Sequence, residues 1–120
     1  MPDRTDLKSR HDAAITALNR GDLKSLSEHC RVLLQQDPEF ADAWFLLSIV
    51  AEAQRDVARA IKLVDRALTL RGDNPEYLSQ KAKYHALVNQ VDPAVDSARR
   101  ALAMEPRSAL VLDTLGVVFT

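Results

Sequence analysis

The sequence predicts an all-α fold, a solenoid built from antiparallel helix pairs. Three observations predict it. First, "LLQQDPEFADAWFLL" (33–47) and "ALAMEPRSALVLDTL" (101–115) share a layout of apolar pair, polar gap, acid, Pro and renewed apolar run, and Pro38 and Pro106 lie 68 residues apart, twice 34. Second, shifting the chain by 34 aligns Leu26, Ala60 and Ala94, then Leu33, Ala67 and Ala101, then Leu34, Leu68 and Leu102. A fixed period of this length is the mark of a repeat architecture. Third, Val50, Val57, Ala60, Ile61, Val64, Ala67 and Leu68 recur at threes and fours, the spacing of a helix, and no strand alternation appears.

The elements follow from the breaks. Inside each repeat the break falls at "NRGDL" (19–23), "QRDVA" (54–58) and "NQVDPA" (89–94). Gly21 suits the left-handed residue that ends a helix. Asp22, Asp56 and Asp92 are placed to cap the helix that follows, with Pro93 as its first-turn proline. Between repeats, Asp37-Pro38 and Asn74-Pro75 mark the other type of break. In "TLRGDNPEYL" the proline has moved from the expected position 72 to 75, while the Ala columns on either side stay in register. Each repeat therefore reads helix–turn–helix. The last stretch, "SALVLDTLGVVFT", is almost wholly apolar and reads as the first helix of a further, truncated pair. Its Leu115, Val118 and Phe119 predict an exposed patch and a homo-oligomer formed through this end.

A helix–turn–helix unit of 34 residues resembles the tetratricopeptide repeat. Units then run over 7–40, 41–74 and 75–108, with a partial fourth at 109–120, seven helices in one domain. The aromatic of the fourth position is Trp44, the Leu-small pair is Leu47-Ser48 and Leu115-Gly116, and the small residues are Ala60, Ala94, Ala67 and Ala101. Other copies depart from the pattern, with Arg10, Leu78 and Leu112 at the fourth position. The resemblance implies a right-handed superhelix whose first helices line a concave groove for a peptide or protein segment. The groove residues it implies are His11, Ile15, Asp42, Phe45, Ile49, Glu52, Glu76, Ser79 and Lys83, an apolar middle with acid at its edges. The family's carboxylate clamp for chaperone C-termini would fall on His11, Ile15, Leu46, Glu76 and Gln80. None matches, and a carboxylate there would meet apolar groups and the like charge of Glu76.

Nothing else in the chain points to chemistry. His11, His29 and His85 are scattered with no metal spacing, and no phosphate loop or nucleophile motif occurs, so no catalytic residue, metal or cofactor is expected. Cys30 reads as a packing thiol and His85 as half-buried packing. The net charge of −1 gives no reason to expect nucleic acid, and no apolar run is long enough for a membrane span. Arg55, Arg59, Lys62 and Arg66, with Arg99, Arg100 and Arg107 as an extension, read as a basic stripe on a solvated convex face. With one cysteine and a polar N-terminus, the expected location is the cytoplasm. The function expected is a protein-interaction scaffold rather than an enzyme. A weaker resemblance, in "DAWFLLSIVAEAQRD" and "LVLDTLGVV", is to the N-terminal region of bacterial proteins that join tetratricopeptide repeats to a sulfotransferase. It implies the alternative of an accessory domain that orients the protein substrate of a larger enzyme.

Overall fold

A computed structural model describes residues 4–104 of the chain. Six helices follow one another in these residues: α1 (Arg4–Asn19), α2 (Leu23–Gln36), α3 (Ala41–Ala53), α4 (Val57–Leu70), α5 (Pro75–Leu87) and α6 (Val91–Met104). No strand occurs among the described residues. The expected seventh helix, the partial fourth unit and the apolar end at Leu115, Val118 and Phe119 lie outside them. Extensive packing is confined to helices adjacent in sequence: α1 on α2, α2 on α3, and so on to α6. That nearest-neighbour pattern defines a solenoid rather than a bundle closed around one centre.

The period is written into the backbone. Gly21, Arg55 and Asn89 all have positive φ, at 73°, 64° and 60°, and stand 34 residues apart. Each is followed by a residue whose N–H donates back across the turn, Asp22 to Ala17 O, Asp56 to Ala51 O and Gln90 to His85 O. Only the first of the three turns has the glycine that this conformation favours. Asp22 and Asp56 cap α2 and α4, accepting from Ser25 N–H and Arg59 N–H. Hydrogen bonding to Ser25 holds the Asp22 carboxyl below its ordinary value, because the ionised form is the better acceptor.

Asp92 does not cap the next helix. α6 begins at Val91, so Asp92 and Pro93 already lie in its first turn, and Gln90 occupies the capping position. The side chain of Gln90 is engaged elsewhere, its Oε1 lying 2.5 Å from His85 Nδ1. Proline remains compatible with this site, since the first-turn N–H groups have no helical partner anyway. The hairpin-to-hairpin connections keep constant length despite the displaced proline. Asp37 and Arg71 end α2 and α4 with N–H bonds to Leu33 O and Ala67 O. Asn74, with Pro75 behind it, caps α5 through Glu76 N–H and Tyr77 N–H.

The aligned columns form the core. Leu26, Ala60 and Ala94 are buried, as are Leu33, Ala67 and Ala101, and Cys30, Val64 and Ala98. Small residues at repeated positions let helix backbones approach closely, and added volume would force them apart. Burial pushes the Cys30 thiol up to about 12, so it stays protonated at neutral pH and serves packing. Arg55→Gly is expected to stabilise the chain by about 0.5–1 kcal/mol, because glycine removes the left-handed penalty at a cost in unfolded-state entropy. A urea midpoint below that of the parent chain would show that the turn favours Arg55.

Candidate peptide-binding surface

The first helices α1, α3 and α5 are tied to one another by polar side chains. Asp42 on α3 is the centre: His11 Nε2 on α1 bonds its Oδ2, and the Tyr77 hydroxyl on α5 donates to its Oδ1 at 3.1 Å. One carboxylate thus bridges three repeats. Burial pushes the Tyr77 hydroxyl up from its ordinary value, and the nearby Asp42 charge adds to this, so Tyr77 remains a donor. A second link joins Lys83 Nζ on α5 to Glu52 Oε1 on α3 at 2.8 Å. Deeper still, the Ser48 and Tyr84 hydroxyls lie 3.1 Å apart between the same two helices, and Ser48 also donates to Phe45 O. Satisfying these groups internally avoids the cost of burying them unpaired.

The nine groove residues read from the sequence fall into three sets. His11, Asp42, Glu52 and Lys83 are half-buried and paired with one another across helices. Ile15 and Ile49 are half-buried, and Glu76 is exposed. Phe45 and Ser79 are core residues, 7% and 1% exposed. Phe45 stacks on Tyr77 with ring centroids 4.6 Å apart, and the Ser79 hydroxyl donates to Glu76 O. Phe45 is buried because α5 supplies an aromatic partner one repeat later, which position in a single unit does not reveal. Sequence reasoning missed Tyr77, whose hydroxyl reaches back to Asp42. The signal was an aromatic in an otherwise small-residue column, three positions after the Asn74 cap.

At the clamp positions, Leu46 is buried, His11 is engaged by Asp42, and Glu76 is an exposed acid. Gln80 Oε1 is buried without a partner. The basic stripe is shorter than expected. Arg55 sits in the turn before α4, and Arg59, Lys62 and Arg66 remain exposed on the helix itself. Arg66 lies over the Trp44 ring at 5.7 Å, and Trp44 Nε1 donates to Pro38 O at 2.9 Å. His85 is half-buried, as expected. No group of metal-ligating side chains and no helix long and apolar enough to cross a membrane occurs among the described residues.

Antiparallel helix pairs, repeated at 34 and stacked only on their neighbours, define a helical-repeat solenoid. A tetratricopeptide repeat family model matches residues 9–84, and the chain belongs to that family. No curated protein matches the sequence. Among solved structures, a mutant of the Thermobaculum terrenum O-GlcNAc transferase is similar at 23% identity and a TM-score of 0.90, over 99% of this chain and 23% of that one. The chain thus spans under a quarter of that transferase's length. The first tetratricopeptide domain of Spaghetti bound to the HSP90 peptide SRMEEVD is similar at 13% identity and a TM-score of 0.83, covering 98% and 93% of the two chains. So is the Yersinia enterocolitica type III secretion chaperone SycD in complex with a peptide of the translocator YopD, at 12% identity and 0.83, over 98% and 92%. At these identities the likeness speaks for the fold.

Proposed function

We propose that this chain is a protein-interaction scaffold that takes an extended, largely apolar peptide segment along its first helices, and that it is not a chaperone carboxylate clamp. The observation that carries the reading is the internal pairing of the surface's charges. Asp42 is engaged by His11 and Tyr77, and Glu52 by Lys83, which leaves the half-buried Ile15 and Ile49 as the partly accessible apolar residues between them. A ligand carboxylate would find no unpaired Lys or Arg at the clamp positions, only the exposed Glu76. The fold is one in which Spaghetti holds an HSP90 peptide and SycD a YopD peptide, and an extended segment in a groove is a familiar recognition mode.

Fluorescence anisotropy against an array of fifteen-residue peptides tests this. Captured sequences are expected to be rich in apolar residues, and Ile49→Asp is expected to weaken them about tenfold, the effect of roughly 1.4 kcal/mol of lost burial. SRMEEVD is expected not to bind. Tight SRMEEVD binding, or apolar binding indifferent to Ile49→Asp, would overturn the proposal. Ile49 rather than Phe45 is the probe residue because Phe45 lies within the core and Ile49 is half-buried against it, and thermal unfolding of Ile49→Asp separates a loss of binding from a loss of fold.

A second reading, an accessory segment that orients the protein substrate of a larger enzyme, draws on one observation: nearly the whole chain superposes on less than a quarter of a transferase. The enzyme suggested by the sequence wording is a sulfotransferase, whereas this neighbour is a glycosyltransferase. The native open reading frame distinguishes the readings: coding sequence for an enzyme domain after Thr120 favours the second, and a stop codon favours the first.

A further inference from the structure

A cleft of about 420 Å³ opens between α2, α3 and the start of α4, on the opposite side of α3 from Ile49 and Glu52. Leu47, Val50 and Gln54 contribute from α3, Leu34 and Arg31 from α2, and Arg59 from the first turn of α4. At about 100° per residue, Leu47, Val50 and Gln54 cluster on one side of the α3 wheel, with Asp42, Ile49 and Glu52 centred roughly 145° away. The cleft's floor is apolar and its rim is cationic. Arg31 and Arg59 are exposed, neither forms an ion pair among the described residues, and no carboxylate lines the cleft. In a chain of net charge −1, two unpaired guanidinium groups over an apolar floor form a local charge of +2 with no internal counterpart.

We propose that this cleft is a second peptide site, which takes an acidic-apolar segment of a partner protein. A Leu or Val side chain fills the floor between Leu34, Leu47 and Val50, and an adjacent Asp or Glu carboxylate bridges Arg31 and Arg59. Guanidinium suits this because its planar fork meets a carboxylate with paired N–H donors. Gln54 supplies a neutral donor and acceptor for the segment's backbone. The site differs from the first-helix surface, where Asp42 and Glu52 are paired and Glu76 is an exposed acid. It does not depend on that surface binding anything, and it lets the scaffold hold a second, acidic segment on a different side of α3.

The test is titration of the isotopically labelled 120-residue chain with a fluorescent twelve-residue peptide of alternating Leu and Glu. The expected result is amide shifts at Gln54, Val50 and Arg31 with none at Ile49 or Glu52. The Arg31→Glu, Arg59→Glu double variant is expected to bind about tenfold or more weakly, the loss of a charge-assisted pair and its replacement by repulsion. Arg31→Lys should recover part of the affinity, and the alternating Leu–Gln peptide should bind as poorly as the double variant does. Both arginines are exposed, so unchanged thermal unfolding is expected to show that the variants keep their fold. Equal affinity for the Gln peptide, equal affinity of the double variant, or shifts confined to the Ile49 side would each overturn the proposal. Failure of the Ile49→Asp experiment above would leave these outcomes unaffected.

Discussion

Leu33→Ala is expected to destabilise the chain by about 2–5 kcal/mol, the usual cost of emptying a buried Leu site. The result runs against the repeat pattern, because alanine is what the second and third copies carry in that column, at Ala67 and Ala101. The reason is packing rather than pattern. Leu33 is fully buried, in the same core cluster as Leu26, Cys30 and Ala14, and its removal would leave a cavity there. The reciprocal change, Ala67→Leu, is expected to cost about 1–3 kcal/mol by forcing α4 away from the elements packed against it. α2 and α4 do not pack extensively on each other, so the two losses should add rather than compensate. Urea denaturation of the two single variants and the double variant measures this. A double variant more stable than either single would mean that the columns exchange volume across repeats.

Asp42→Ala is expected to lower stability by about 1–3 kcal/mol, because the Tyr77 hydroxyl is then left buried without its acceptor. The same substitution releases His11, so it removes the polar link from α3 to α1 and one of the three from α3 to α5, leaving Lys83–Glu52 and Ser48–Tyr84 in place. Tyr77→Phe should cost less, about 1 kcal/mol, since it removes the donor along with its need for a partner. In the double variant the penalties should be smaller than their sum, because the orphaned hydroxyl is gone. Thermal unfolding of the four proteins closes this cycle, and strict additivity would show that the Tyr77–Asp42 bond contributes nothing. The expected fall in midpoint for Asp42→Ala is at least several degrees in a domain of this size.

Local chemistry made much of the fold legible. Asp22 and Asp56 could be read as caps because a capping carboxylate acts within three residues of itself. The Ala columns could be read because close helix approach excludes larger side chains wherever it recurs. Asp92 misled for an equally local reason. An Asp-Pro pair is a strong helix-start signal, but here the 34-residue spacing fixed the turn and put Gln90 at the cap. Arg55 looked like a helix-face residue because its spacing to Arg59 is four, whereas the left-handed turn claims it. On the candidate surface, the exposure of Glu76 could be anticipated from its place in the first turn of α5. The fates of Phe45 and Asp42 could not, because they are decided by what the neighbouring repeats present: Tyr77 of the next repeat to Phe45, and His11 of the preceding and Tyr77 of the next repeat to Asp42.

The nearest-neighbour arrangement of α1 to α6 also fixes how the molecule should yield to force. With no central core that must rupture at once, tension applied to the two termini should peel hairpins away in turn, giving a staircase of small extensions. The same modularity makes the curvature compliant, so that gentle stretching widens or narrows the surface along α1, α3 and α5 before any helix is lost.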